Sequence, residues 1–95
     1  MTDAQLLTAV KTNLGISASA YDTELTDVIA AAKAFIAREG VANYDPAASA
    51  EDARITIMYA VWLWGQRNAP AAPMPRMLRW ALNNRIFSRE GAATT

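Results

Sequence analysis

Cysteine and histidine are both missing from this chain of 95 residues. Without cysteine there is no disulfide framework, no thiolate metal ligand and no thiol redox centre. Without histidine the commonest general base and the commonest transition-metal ligand are also missing. These two absences remove most classes of enzyme.

Recognisable catalytic motifs are lacking as well. The sequence has no glycine-rich phosphate loop, no nucleophile elbow and no serine with a plausible base. The acidic residues Asp22, Glu24 and Asp27 crowd one helix start, where they suit the helix dipole better than a cation that needs converging oxygens. We therefore expect a protein that is not an enzyme and has no catalytic, cofactor or metal site.

Long hydrophobic segments are also absent. The longest apolar run, Ile57 to Trp64, is far shorter than the roughly 20 residues that a membrane-spanning helix needs. The first residues lack the basic and apolar regions of a signal peptide. We expect a soluble chain that is made in the cytoplasm and has no membrane partner.

Apolar residues are nevertheless abundant, at 53% of the chain against 19% charged residues. The length suits a single domain, and a single domain of this size cannot easily bury so much apolar surface. Part of that surface is therefore expected to meet a partner.

Charge is unevenly distributed although the net charge is zero. Residues 1–52 carry eight acidic and three basic residues, a net charge of −5, and residues 53–95 carry six arginines and one acid, a net charge of +5. Such polarity suits head-to-tail packing of identical subunits, or docking of the basic end on an acidic or nucleic-acid surface.

The first two helices have recognisable ends. Thr2 and Gln5 have the spacing of a capping box, and the first helix should end at Gly15. Asp22 is expected to cap a second amphipathic helix, which should end at Gly40.

The third helix should start at Ser49 and is apolar nearly all round as far as Trp64. A helix of this kind must be buried on every side, and three other helices could cover only part of it. We expect Ile57, Val61 and Trp64 in the internal core, and Tyr59 and Trp62 between subunits. For Trp62, core packing and an interface are about equally favoured.

Prolines separate the third helix from the fourth. Residues 69–75 include Pro70 and Pro73, which cannot sit in a helix interior and are candidates for contact with a neighbouring subunit. Pro75 suits the first turn of a fourth helix. Without any strand pattern, the sequence predicts an all-α fold of about four helices over residues 1–91, with a Pro-rich loop at 69–75 and a flexible tail at 92–95.

Arginines are concentrated in and before the last helix. They are candidates for contact with DNA or an acidic protein surface, because a guanidinium grips phosphates and carboxylates bidentately. An ordinary solvated face is the alternative. The candidates are Arg67, Arg76, Arg79, Arg85 and Arg89.

Taken in order, these features resemble the head-tail connector (adaptor, head-completion) proteins of tailed bacteriophages over nearly the whole chain. The residues that carry the resemblance are Leu6, Val10, Lys11, Leu14, Ile16, Asp22, Leu25, Ile29, Ala31, Ala32, Lys33, Ile36, Trp64, Arg67, Pro75, Leu78, Leu82 and Arg85. Gly65 and the alanine-rich, proline-rich loop depart from the family's pattern.

The resemblance implies a structural virion protein without catalysis, located in the neck at the head-tail interface. It implies a homo-oligomeric ring, commonly a dodecamer, that docks on the portal protein and receives a downstream connector or tail protein. The arginine helix would then face the portal or the packaged DNA in the channel.

Two other classes fit the composition. A small helical DNA-binding regulator should show a polar recognition helix, which the apolar third helix is not. A helical subunit of a cytosolic complex, such as a toxin or antitoxin, fits equally well. Salt-sensitive binding to duplex DNA would favour the regulator, and ring formation with a portal would favour the connector.

Overall fold

The computed structural model describes the backbone of residues 1–67 and 72–94 and the side chains as far as residue 87. Within that part of the chain the α-helices are α1 (Asp3–Leu14), α2 (Asp22–Arg38), α3 (Ala50–Gly65) and α4 (Arg76–Thr94). A short 3-10 helix, Ser19–Tyr21, precedes α2, and the described residues contain no strand. The predicted all-helical class and the four helices are therefore confirmed.

Helix α1 begins and ends as its sequence predicts. The Thr2 hydroxyl accepts a hydrogen bond from the Gln5 amide at 3.2 Å, and the Thr2 amide donates to the Gln5 side chain at 2.8 Å. These bonds satisfy donors that an uncapped helix would leave free. Gly15 then ends the helix in the left-handed region, with φ of 72°.

Helix α2 begins at Asp22, where the sequence predicts it, but without the predicted cap. Tyr21 precedes it without a side-chain cap, and Asp22 is already its first helical residue. The preceding 3-10 turn runs directly into α2, so the chain never adopts the extended conformation from which an aspartate caps. Asp22 instead forms an ion pair with Lys11 of α1 at 2.8 Å. The predicted end of α2 is confirmed, since Gly40 has φ of 96°.

Helix α3 is the centre of the fold, because α1, α2 and α4 all pack against it. Ser49 caps it as predicted, its hydroxyl accepting from the Asp52 amide at 3.1 Å. The core consists of buried apolar residues from all four helices and the segment after α2: Leu6, Val10, Leu25, Ile29, Ala32, Ile36, Val41, Ala53, Ile55, Tyr59, Ala60, Leu78 and Leu82.

The residues expected in the internal core at the end of α3 are only partly buried. Ile57, Val61 and Trp64 pack against the core from its edge. The helix turns a different side inward, on which Ile55, Thr56 and others are buried. An almost uniformly apolar helix gives little periodicity from which to choose that side.

The last helix runs further than the sequence predicts. Its backbone is helical through Thr94, past Gly91, where we expected the domain to end. Alanine follows the glycine, and one glycine inside a helix costs only about 1 kcal/mol relative to alanine. Flexibility of residues 92–95 stays a prediction.

Candidate interaction surface

Two leucines fix the inner face of α4 to the rest of the fold. Leu78 and Leu82 lie one turn apart and are both buried. The Arg79 amide donates to the Pro75 carbonyl at 3.1 Å, which closes the first turn of the helix. The N–H groups at the start of a helix have no partner within the helix. Because proline has no backbone N–H, Pro75 suits this position.

Arg85 lies on the same inner face and is part of a buried ion pair. Its Nε donates to Asp52 Oδ1 at 2.6 Å and its Nη2 to Asp52 Oδ2 at 3.3 Å, with a third bond to the Ala42 carbonyl at 3.0 Å. Asp52 is 0% exposed. Arg85 therefore joins α4 to α3 and to the segment after α2, and its contact with a portal or DNA stays a prediction.

Asp52 also organises the segment between α2 and α3. Its Oδ2 accepts from the Asp45 amide at 2.9 Å, and its backbone carbonyl accepts from the Thr56 hydroxyl at 2.7 Å. Because Thr56 donates there, its oxygen accepts from the Tyr44 hydroxyl. Burial raises the pKa of Tyr44, and the Asp52 charge adds to that rise. Every described member of this network is thus held by a hydrogen bond.

Arg79 forms a second ion pair within the subunit. Its two terminal nitrogens donate to the two carboxylate oxygens of Glu39, each at 3.2 Å. Glu39 stands at the end of α2, so the pair joins α4 to α2. Burial raises the pKa of the neighbouring Tyr59, with the Glu39 charge adding to the rise and Arg79 opposing it.

Arg67 forms a third pair, at the opposite end of α2. Its guanidinium lies 3.1 Å from the Glu24 carboxylate and 4.1 Å from the centre of the Trp64 ring. Both partners are about half exposed, so solvent weakens the attraction. Three of the five candidate arginines are therefore engaged inside the subunit, and the acidic and basic halves of the chain pair with each other there.

The outer face of α4 is strongly apolar. Met77, Trp80 and Phe87 are 65%, 63% and 68% exposed, although residues of this type are usually buried. Arg76 is exposed beside them and has no ion pair with any described residue. We call Arg76, Met77, Trp80, Asn83 and Phe87 the outer face of α4.

A groove of about 560 Å³ runs from this face onto α3. Ile57, Met58 and Ala81 contribute its apolar surface, and Arg54 supplies a charge. Met77 and Trp80 line it as well, so the groove and the outer face of α4 form one continuous apolar surface.

The residues predicted to lie between subunits have different surroundings within the subunit, and their contact with a neighbouring subunit stays a prediction. Tyr59 is buried within its own subunit, stacked on Phe35 with ring centres 6.0 Å apart, so it offers little area to a partner. Trp62 is half-buried, and its indole nitrogen is buried without a hydrogen-bond partner among the described residues. Pro73 is exposed. Pro70 and the side chain of Arg89 lie outside the described residues.

Sequence reasoning missed two groups of residues. Asp52 was not singled out as a site residue, and its pairing with Arg85 joins positions too far apart in sequence for spacing to reveal. Met77 was not singled out at all. Its position three residues before Trp80 was the available signal, because residues three apart share a helix face.

Other kinds of site find no support in the described part of the chain. It holds no group of three or more acidic residues placed to bind a metal ion. None of its helices has the length and apolar character needed to cross a membrane.

No protein-family model, curated protein or solved structure matches this chain. Its function therefore has to be argued from its own surface.

Proposed function

We propose that this protein is a head-tail connector, or adaptor, of a tailed bacteriophage. About a dozen copies would form a ring in the neck of the virion, dock on the portal protein and join the DNA-filled head to the tail or the next neck protein. The observation that carries the proposal is the outer face of α4, a large exposed apolar surface on a small domain.

The contrast within α4 supports this assignment. Its inner face is buried and its inner arginines are paired, so the helix is firmly held by its own subunit. Its outer face presents three large apolar side chains to solvent. Exposed apolar surface of this kind marks protein contact sites, and aromatic residues with arginine are enriched where binding energy is concentrated.

The order of elements agrees with the resemblance. A connector of the resembled family would have helices in the order found here and a loop before the last one, although the alanine and proline content of this loop departs from the family's pattern. Residues 72–75 have no helical structure and include Pro73 and Pro75. Ring formation, portal docking and location in the virion extend beyond this order and are the substance of the proposal.

Direct contact with packaged DNA gains little support from the arginines. Arg67, Arg79 and Arg85 each hold an acidic partner of the same subunit, which lowers the positive charge available to phosphates. The same pairing weighs against the DNA-binding regulator. No described feature favours a cytosolic complex over a virion ring.

The proposal is tested by counting copies per particle. Phage particles from a host that carries this sequence would be purified on a density gradient, and the chain, the portal protein and the major capsid protein would be quantified by mass spectrometry. We expect about one copy of this chain per portal subunit, hence about a dozen per particle.

The portal protein serves as the internal standard, and an abundant host cytosolic protein measures contamination. Absence of the chain from particles, or abundance no higher than that of the host protein, would overturn the proposal. Copy numbers close to that of the major capsid protein would also contradict a ring at the neck.

A further inference from the structure

One stripe of α2 that points away from the core carries small side chains between two charged ones. Ala30 and Ala34 are exposed along it and Ala31 is half-buried, with Asp27 near one end and Arg38 at the other. From Asp27 to Arg38 the face is about 16 Å long, at 1.5 Å per residue. Side chains that end at Cβ let bulky groups of another helix approach closely. We call residues Asp27, Ala30, Ala31, Ala34 and Arg38 the outer face of α2.

The outer face of α4 has the complementary shape and the same length. Arg76 and Phe87 are also eleven residues apart, hence about 16 Å. Between them Trp80 projects from the helix, 63% exposed. Large side chains on one helix fit the space above small side chains on another, as ridges pack into grooves.

The charges select one relative direction. Asp27, Arg38 and Arg76 are exposed and form no ion pair with any described residue. In a parallel arrangement with Arg76 opposite Asp27, Trp80 comes opposite Ala31 and Phe87 opposite Arg38. This register makes one ion pair and places a guanidinium on an aromatic ring. The antiparallel arrangement would set Arg76 against Arg38, and like charges across an interface are costly.

We infer that the outer face of α4 binds the outer face of α2 on a second copy of this chain, in this parallel register. The inference rests on the proposed function, because it names the contact that would build the ring. Both helices pack on α3 in the same subunit, so their outer faces are two different patches. Contact between different patches is head-to-tail, the type that generates rings.

The absence of cysteine from the sequence allows a direct test by disulfide formation. The register places Asn83 opposite Ala34. Full-length Asn83→Cys and Ala34→Cys proteins would be mixed and gently oxidised. We expect a disulfide-linked dimer of the two variants. Thr8→Cys, at an exposed position of α1, replaces Asn83→Cys in the matched control and should form at most a trace of mixed dimer.

Charge reversal tests the register. Arg76→Asp and Asp27→Arg should each weaken self-association at least about tenfold, because each sets like charges opposite each other. The double variant should restore it. Glu51→Arg, at an exposed acidic residue of α3 outside both outer faces and the groove, is the matched control and should leave association unchanged. Circular dichroism of every variant would verify that its helices are intact.

Two results would overturn the inference without touching the proposed function. One is an oligomer that persists in all charge variants and forms no Asn83–Ala34 disulfide, which would place the contact between copies elsewhere. The other is a chain that stays monomeric at high concentration. In both cases the copy number per particle still decides independently whether the protein is a connector.

Discussion

The inner and outer faces of α4 differ in how many of their side chains are buried or paired by the rest of the subunit. On the inner face, Leu78 and Leu82 are buried and Arg85 holds a fully buried carboxylate. On the outer face, Trp80 and Phe87 are mostly exposed. The comparison shows that Arg79 and Arg85 of this helix act within the subunit, whereas its exposed aromatic residues are available to a partner.

This difference changes which residues of α4 are the main candidates for contact with a partner. From composition alone, a helix rich in arginine suggests binding to phosphates or acidic surfaces. Here Arg79 and Arg85 form ion pairs with acidic residues from the first half of the chain, so folding brings opposite charges of the two halves together. What remains for recognition on the described part of α4 is its exposed apolar area and the charge of Arg76, which forms no ion pair with any described residue.

The largest effect is expected at the buried pair beneath α4. Asp52→Ala leaves Arg85 without its carboxylate in a buried site, and breaking such a pair costs about 3–5 kcal/mol of the free energy of unfolding. Urea denaturation followed by circular dichroism measures the loss. Glu51→Ala, at the exposed neighbouring position, is the control and should cost less than about 1 kcal/mol.

A second substitution separates loss of the pair from loss of the side chain. Arg85→Met in the Asp52→Ala background removes the stranded charge and should recover part of the stability. An Asp52→Ala protein as stable as the Glu51→Ala control would contradict the assignment of this pair as the main polar link between α3 and α4.

The part of the fold that could be predicted from sequence is the part decided locally. Thr2, Gly15, Gly40 and Ser49 mark helix ends through bonds and conformations a few residues long, and the structure confirms all four. Helix α2 does begin at Asp22, but the predicted cap is wrong because the 3-10 turn runs directly into the helix.

The candidate surface was less predictable because it depends on which side of each helix turns inward. In α3, apolar residues occur at nearly every position, so sequence could not distinguish the buried Tyr59 from the half-buried Trp62. In α4, the arginines that point inward could be found only by knowing that Asp52 and Glu39 lie opposite them. Such pairings between distant positions leave no periodic signal.

An intermediate effect is expected when the two faces of α4 are compared directly. Leu82→Ala removes a fully buried side chain and should cost about 2–5 kcal/mol, because it leaves a cavity. Phe87→Ala removes a larger but mostly exposed side chain and should change the stability of the monomer by less than about 0.5 kcal/mol. Denaturation at low protein concentration measures both values.

The same two variants should behave in the opposite way in self-association. If the outer face of α4 is a contact surface, Phe87→Ala weakens association at concentrations where the wild-type chain assembles, as measured by sedimentation velocity. Equal losses of monomer stability in the two variants would contradict the distinction between the two faces.

The smallest effect is expected at the ion pair between Asp3 and Lys33, which has the same 2.6 Å length as the shortest contact of the Asp52–Arg85 pair. Asp3 is 85% exposed, so water screens the attraction and the pair should contribute far less stability than the buried one. The hydrogen bond from Lys33 and its charge lower the pKa of Asp3 below the ordinary 3.8. The unfolded chain, in which Asp3 has its ordinary pKa, binds a proton at a higher pH than the folded chain does. The ion pair therefore stabilises the fold at pH values above the ordinary pKa, and this stabilisation is lost as the pH falls through the lowered pKa.

Asp3→Asn should therefore be slightly less stable than wild type near neutral pH and should approach the stability of wild type in acid. Lys33→Gln should remove the same pH-dependent part, and a difference between Asp3→Asn and wild type that persisted undiminished below both pKa values would show that the pair is not its source.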